Sequence, residues 1–393
     1  MSEEVVAPDL GLANYLFQRR SKVPEERADA EQNLHAAIAS GNLAKLYEYV
    51  VPATSPSYDA ALVSKMNAAN EAVVSDLKAK IDEAEASEDD AHIIDAWTAL
   101  GNFYCKVCDM QNAKETLRIA SEKTAAVGIK IDIALTMVRM GLLYGDFELI
   151  AKELDTAQSL IDRGGDWERK NKYKTYRGVY LMSIRQFEEA AKLLIDSFAT
   201  FTCTELLHYE ELIVVGVVCG ALVLDRVNLK KKIVDSPEVL SVLSTHKELE
   251  PISIMTNSLY TGDYATFLRA LADVEVQFLR PSPYLAVHSA FYVREMRCRA
   301  YSQLLESYMS LNLRSMASTF GVSTEYLEAD LARLIPQKKL NCVVDKVHGV
   351  IITNRPDMKN AQYQQLIKQG DALLTKLQKY GAAVRMYGSD SQN

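Results

Sequence analysis

Familiar catalytic motifs are missing from these 393 residues. There is no HExxH, no HxH, no GxSxG and no GxxxxGKS/T, which sets aside zincins, HxH-type zinc isopeptidases, serine hydrolases and P-loop enzymes. His35, His92, His208, His246, His288 and His348 are dispersed along the chain, and no convergent polar set accompanies any of them. Cysteine is sparse as well. Six in a chain of this length read as reduced, buried thiols of a cytosolic or nuclear protein, not as a disulfide framework. Cys105 and Cys108 form a CxxC, but no second pair lies at zinc-ribbon spacing and no βαβ pattern surrounds them. No enzyme activity, cofactor or metal is therefore expected.

Long hydrophobic runs are also missing. The longest, LIVVGVVCGALVL over residues 212–224, is well short of the ~20 residues that cross a bilayer. Glu210 and Glu211 precede it and Asp225 and Arg226 follow it, which marks a buried helix. Its Gly216 and Gly220 suit close helix packing inside a core. The first residues, MSEEVVAPDL, place acids where a secretory leader needs a basic stretch, so neither leader nor membrane partner is expected. Positive charge is in deficit too. Lysine and arginine total 44 against 52 acids, a net charge of −8, which argues against gripping phosphate backbones as the main task.

What the chain does have is helical periodicity almost throughout, at 48% hydrophobic and 24% charged residues. Residues 1–58 read as an irregular-to-helical N-terminal extension ending near the breaker VPATSPSYD (51–59). A long helix from Ala60 to about Ala86, with the acidic stretch DEAEASEDD (82–90) as its solvated end and linker, fills 59–91. Internal similarity then appears over 92–204. Trp97, Leu100, Gly101, Tyr104, Ala113, Leu117 and Ala120 fall at the spacings of a tetratricopeptide (TPR) helix pair. Small residues at Gly101, Ala113 and Ala120 let two helices approach, and Trp97, Tyr104 and Leu117 fill the space beside them. A looser copy follows at Gly141, Tyr144 and Ala151, and a third at Gly178, Leu181, Ala190 and Leu194. DRGGDWERKNKY (162–173) between them reads as a turn carrying a tryptophan. The copies predict degenerate repeats in a short right-handed solenoid. Further helices are expected at 205–224, 236–245, 250–260, 263–278 and 284–310, with no strand among them.

After residue 310 the pattern changes. LNLRSMASTFGVSTEYLEADLARLI (311–335) has the grammar of a helix-turn-helix: Gly321 sits at a left-handed cap, Val322 tucks in, Ser323 caps the second helix, and Leu327, Leu331 and Leu334 line one side of it. Two β-branched runs, Asn341–Asp345 and Val350–Thr353, then flank KVHG and predict a hairpin with Gly349 at positive φ. A helix-turn-helix closed by a hairpin is a winged helix, spanning 311–356. A last helix, about 359–384 within 357–385, carries Tyr363, Leu366, Ile367, Leu373, Leu374, Leu377 and Val384 as a stripe with nothing of its own chain left to cover it. Residues 386–393 are expected to be a flexible tail. The fold class is thus an all-α solenoid of TPR-like repeats, then a winged-helix module with a small hairpin and a long C-terminal helix.

A winged helix often reads DNA, and charge decides against it here. STEYLEADLARL carries Glu325, Glu328 and Asp330 against Arg333, a net of −2 where a DNA reader meets phosphates. Nor does it offer the Arg, Asn or Gln usually turned to base edges. Lys338, Lys339, Lys346 and Arg355 make the hairpin region basic, as many solvated edges are. Two surfaces remain for protein partners: the hairpin edge, with Leu340, Asn341, Val343, Asp345, Val350 and Ile352, and the terminal stripe, with Leu366, Ile367, Leu373, Leu374 and Leu377.

Helical repeats feeding a winged helix is the plan of the PCI domain. The runs YVREMRCRAYSQLLESYMSLNLRSMASTFGV (292–322), LNCVVDKVHGVIITNRPDMKNAQYQQLIKQGDALL (340–374) and GGDWERKNKYKTYRGVY (164–180) resemble the PCI-domain family of proteasome-lid subunits, in its non-ATPase regulatory branch. The likeness spans roughly residues 60–385. The nearest related branch is the PCI subunit of the COP9 signalosome. A PCI subunit of a translation-initiation complex fits the same plan, and a nucleic-acid-binding winged helix fits it less well. The resemblance implies a non-catalytic scaffold, cytoplasmic and nuclear, supporting lid assembly and ubiquitin-dependent degradation. It implies winged-helix edges joining other PCI subunits, a C-terminal helix in a shared bundle, and repeats that reach toward the ATPase ring.

Overall fold

The computed structural model describes residues 7–20, 24–52, 58–87, 89–354 and 358–390. Part of the 51–59 breaker, Arg355 and the last three residues of the tail lie outside them. The chain divides into two compact units, 1–296 and 297–393.

The first unit opens with three helices, α1 (Gly11–Gln18), α2 (Pro24–Gly41) and α3 (Ala44–Val50). The long helix α4 (Ala60–Ser87) follows, one residue beyond its expected end. The N-terminal extension is no appendage. Leu12, Leu34, Ile38, Leu46 and Tyr47 share one apolar cluster with Val63 and Met66 of α4 and with Cys108 and Leu143 of the repeats. Burial of such side chains is worth about 1.5–3 kcal/mol each, so α1–α3 belong to the body.

Three helix pairs make the repeats: α5 (Asp90–Lys106) with α6 (Met110–Lys123), α7 (Val127–Tyr144) with α8 (Phe147–Asp162), and α9 (Trp167–Ser183) with α10 (Phe187–Asp196). The acidic stretch is helical as far as Ser87 and again from Asp90, and Asp89 caps the new helix by accepting from the Ala91 amide. Asp109 and Asp146 start α6 and α8 the same way. The expected turn at 162–173 is shorter than its sequence suggests, because α9 already begins at Trp167.

The predicted close approaches are present in two copies and shifted in one. A Cβ on Gly101 would stand 2.4 Å from Leu117 Cδ2, and one on Gly178 2.8 Å from Leu194 Cδ2. Both leucines are the eighth residue of their helix. In the middle pair the Cβ of Gly141 would meet Ile150 at 2.6 Å, at the fourth residue of α8. The shorter connection thus moves that contact one turn toward the loop.

The remaining α-helices of this unit are α11 (Tyr209–Val223), α12 (Arg226–Leu229), α13 (Pro237–Thr245), α14 (Glu250–Thr261) and α15 (Tyr264–Val274), followed by the first part of α16 (Ser289–Leu305), whose residues from Arg297 onward belong to the second unit. The run predicted to be a buried helix is α11, whose Leu212, Ile213, Val217, Val218 and Cys219 are buried. Gly216 faces the Phe198 ring and Gly220 faces Ile233, each too close for a side chain. No helix of the described residues is long and apolar enough to cross a membrane. The division between the two units falls inside α16.

In the second unit, β1 (Ser310–Asn312) precedes α17 (Leu313–Phe320) and α18 (Thr324–Leu334). The hairpin β2 (Cys342–Asp345) and β3 (Val350–Thr353) follows, then α19 (Met358–Asp390). The sheet order is β1–β3–β2, antiparallel throughout. β1 was not expected: residues 284–310 read as helix and 311 onward as the first helix of the turn motif. The three-residue strand is too short to show an alternation of its own, and its reason is tertiary, since Leu311 pairs with buried Ile351.

Candidate assembly surfaces

The helix-turn-helix is built as its sequence implies. Gly321 ends α17 at φ 65° and Ser323 accepts from the Tyr326 amide at 3.2 Å. Leu327, Leu331 and Leu334 are buried. One acid departs from the reading. Asp330 is only 6% exposed, accepting from Tyr301 Oη at 3.1 Å and lying 3.4 Å from an Arg297 nitrogen. Burial, with Asp330 second, pushes the Tyr301 phenol well above its usual range. Glu328 is paired with Lys346 of the hairpin turn. The charge that α18 shows to solvent is therefore smaller than the net of −2 read from sequence, because one of its acids belongs to the core.

The hairpin is present, with Gly349 at φ 64°. Asp345 organises the turn: one carboxylate oxygen accepts from the Val347 and His348 amides at 2.9 and 3.3 Å, and the other meets His348 Nδ1 at 2.7 Å. The His348 ring, followed by these amides, holds the carboxyl below its ordinary value.

The third strand changes which residues form the edge. β3 is central, flanked by β1 and β2, so Val350 and Ile352 are not on an edge. Leu340, at 4% exposure, is a core residue and offers no surface. The hairpin's outer strand is β2, while β1 closes the other side of the sheet. The Asn354 amide donates to Asn341 O at 2.9 Å, so Asn341, Val343 and Asp345 pair inward, and the amides and carbonyls of Cys342 and Val344 point outward, since the two orientations alternate. Neither was among the expected edge residues. The turn at 346–349 fixes this register, and counting back from Gly349 would have found them. Val343 and Ile352, cross-strand partners, are exposed at 53% and 46% and form an apolar spot on the outer sheet face.

The second surface is α19. Leu366, Ile367, Leu373, Leu374 and Leu377 are each between 58% and 66% exposed, and Tyr363 and Tyr380 accompany them. The helix runs to Asp390, so residues expected to start a flexible tail are helical. A single helix with this much apolar side chain in water cannot draw its order from tertiary packing, the usual source of helix stability.

The CxxC thiols lie elsewhere, buried in the repeats. Burial pushes both Cys105 and Cys108 up to about 12. Among the described residues no group of three metal-ligating side chains converges.

Comparison with known proteins accounts for these parts in chain order. A family model described as 26S proteasome subunit RPN7 matches residues 59–232, and the PCI domain model matches 271–355. A third, the 26S proteasome regulatory subunit RPN7/PSMD6 C-terminal helix, matches 362–384, the segment that bears the bare stripe. The chain belongs to the RPN7 family. The RPN7 regulatory subunit of the 26S proteasome of Saccharomyces cerevisiae is 48% identical over 336 residues, covering 85% of this chain and 78% of that protein. The Schizosaccharomyces pombe subunit is 44% identical over 381 residues, 96% of each chain. The 26S proteasome non-ATPase regulatory subunit 6 homolog of Arabidopsis thaliana is 41% identical over 379 residues, covering 96% of this chain and 97% of its own. The RPN7 likeness thus extends through α1–α3, beyond the segments that carried the resemblance in the sequence.

Proposed function

We propose that this chain is a structural subunit of the lid of the 26S proteasome regulatory particle, doing no chemistry itself and supporting ubiquitin-dependent degradation by holding its neighbours in place. One observation carries the reading within this family: the helix matched by the RPN7/PSMD6 C-terminal model presents its leucines to solvent at 58–66% exposure. Full burial of each is worth about 1.5–3 kcal/mol, so association with apolar helices of sister subunits is the state that satisfies it.

The outer edge of β2, with the amides and carbonyls of Cys342 and Val344 directed outward and the Val343 side chain on the sheet face beside them, joins the winged helix of another PCI subunit by strand pairing. Leu366, Ile367, Leu373, Leu374 and Leu377 enter a shared helical bundle. The repeats of α5–α10 set the spacing to the ATPase ring. The work is done in cytoplasm and nucleus. Affinity purification of the tagged chain followed by mass spectrometry tests this: lid and ATPase-ring subunits are expected together, and recovery of the chain alone or with cullin-linked partners would overturn it.

A further inference from the structure

Arg139, on α7, is 5% exposed and sits amid the repeats. Its guanidinium donates to Tyr176 Oη at 2.8 Å, to Thr136 Oγ1 at 2.9 Å and to the backbone carbonyl of Ala7 at 3.1 Å. Glu205, itself 8% exposed, lies 3.9 Å from it, and Lys172 reaches the same carboxylate at 3.5 Å. Arg139 Nε has no partner. An arginine this buried normally satisfies all its donors, because each unmet one costs about 1–3 kcal/mol. This one donates to a main-chain carbonyl 132 residues away in sequence.

The same stretch of chain is fastened twice more. Ala7 packs on the cluster of Cys105, Leu117, Ile133, Met137 and Met140. Leu12 and Ala13 of α1 are buried in the cluster that contains Cys108 and Leu143. Beyond α1, Arg19 donates to the Val50 carbonyl at 2.9 Å. A short apolar segment with one carbonyl gripped by a buried arginine is how a helical-repeat surface holds a peptide, main chain for affinity and side chains for fit.

We propose that the surface of α5 and α7 around Arg139 is a peptide-binding site whose ligand is the chain's own residues 7–18, so that another segment enters only by displacing them. The ligand chemistry is an apolar peptide offering a carbonyl or carboxylate to the guanidinium. Arg139 is a positioning residue for that segment.

The test starts from the folded full-length chain. A protease site is placed between Arg20 and Pro24, the purified chain is cut, and fluorescein-labelled peptide of residues 1–20 is added. Saturable uptake of label with release of the cut segment is expected, with an unlabelled Leu12→Asp peptide competing about tenfold or more less well. Arg139→Gln in the cut chain is expected to weaken uptake about tenfold, the scale of one charge-assisted hydrogen bond. Hydrogen exchange of the uncut Arg139→Gln chain guards against misfolding: protection is lost over residues 7–18 and kept in α9 and α10. A cut chain that keeps its helical circular dichroism yet takes up no peptide overturns the proposal. So does uptake indifferent to both substitutions.

Discussion

Tyr301 on α16 donates its phenol to Asp330 on α18 across 3.1 Å, joining a helix read as leading into the winged helix to the helix that in a DNA reader would face the groove. Arg297 closes on the same carboxylate at 3.4 Å and stacks over the Tyr326 ring. Asp330→Ala would leave the buried Tyr301 hydroxyl without its acceptor and take a carboxylate away from half-buried Arg297, and an unmet buried donor costs about 1–3 kcal/mol. A lowered urea midpoint for Asp330→Ala, with Asp330→Asn intermediate because its amide oxygen still accepts from Tyr301, is the expected series. Equal midpoints for wild type and Asp330→Ala would refute the buried pairing.

The hairpin turn should loosen in acid. Asp345 titrates below its ordinary range because His348 and two amides favour the carboxylate. A depressed folded value means the contribution is present above the unfolded carboxylate range and disappears as pH falls through the folded value. Amide exchange at Val347 and His348 is expected to quicken below that range, and Asp345→Asn to show the quick exchange already at neutral pH. A pH-independent degree of protection in wild type would contradict this.

Glycine positions separate two kinds of strain. Gly101→Ala drives a methyl into Leu117 at 2.4 Å, and overpacking of this kind costs about 1–3 kcal/mol. Gly349→Ala meets no atom within 4 Å but must hold φ 64°, at about 1–2 kcal/mol. Thermal melts should therefore show both variants destabilised. A second substitution that shrinks Leu117 should rescue only Gly101→Ala.

Leu373, Leu374 and Leu377 replaced by glutamate should leave the secondary structure of the chain unchanged, since all three already face water. Entry into the lid should fail, seen on a native gel as loss of the assembled band. Normal incorporation would remove the bundle role from α19.

Val344→Pro probes the strand edge separately. The Val344 amide points away from β3, so proline removes a donor the sheet does not use, which edge strands tolerate. Preserved folding with weakened assembly is expected, and unchanged assembly would show that β2 is not the joining edge.

Residues whose role is local were legible in the sequence. The long helix α4, the apolar α11 with its two close-packing glycines, the αL cap at Gly321, the Ser323 cap and the positive φ at Gly349 follow from propensity, periodicity and turn chemistry acting over a few neighbours. The stripe of α19 was legible for the same reason: spacing along one helix fixes which side chains share a face. The start of α9 at Trp167 was missed because GGD and a lone tryptophan mimic a longer turn.

The sequence by itself determined that this protein is a chain of helices ending in a helix-turn-helix, a hairpin and a greasy helix, because those patterns are written within a turn or two of each residue. Only the tertiary structure decided that Ser310–Asn312 is a strand, that Leu340 and Asp330 belong to the core, and that β3 is flanked on both sides so that β2 is the hairpin's outer strand. Each of those depends on a partner far along the chain, such as Ile351 for Leu311 or Tyr301 for Asp330. Burial and pairing are properties of two segments brought together, and neither segment carries them alone.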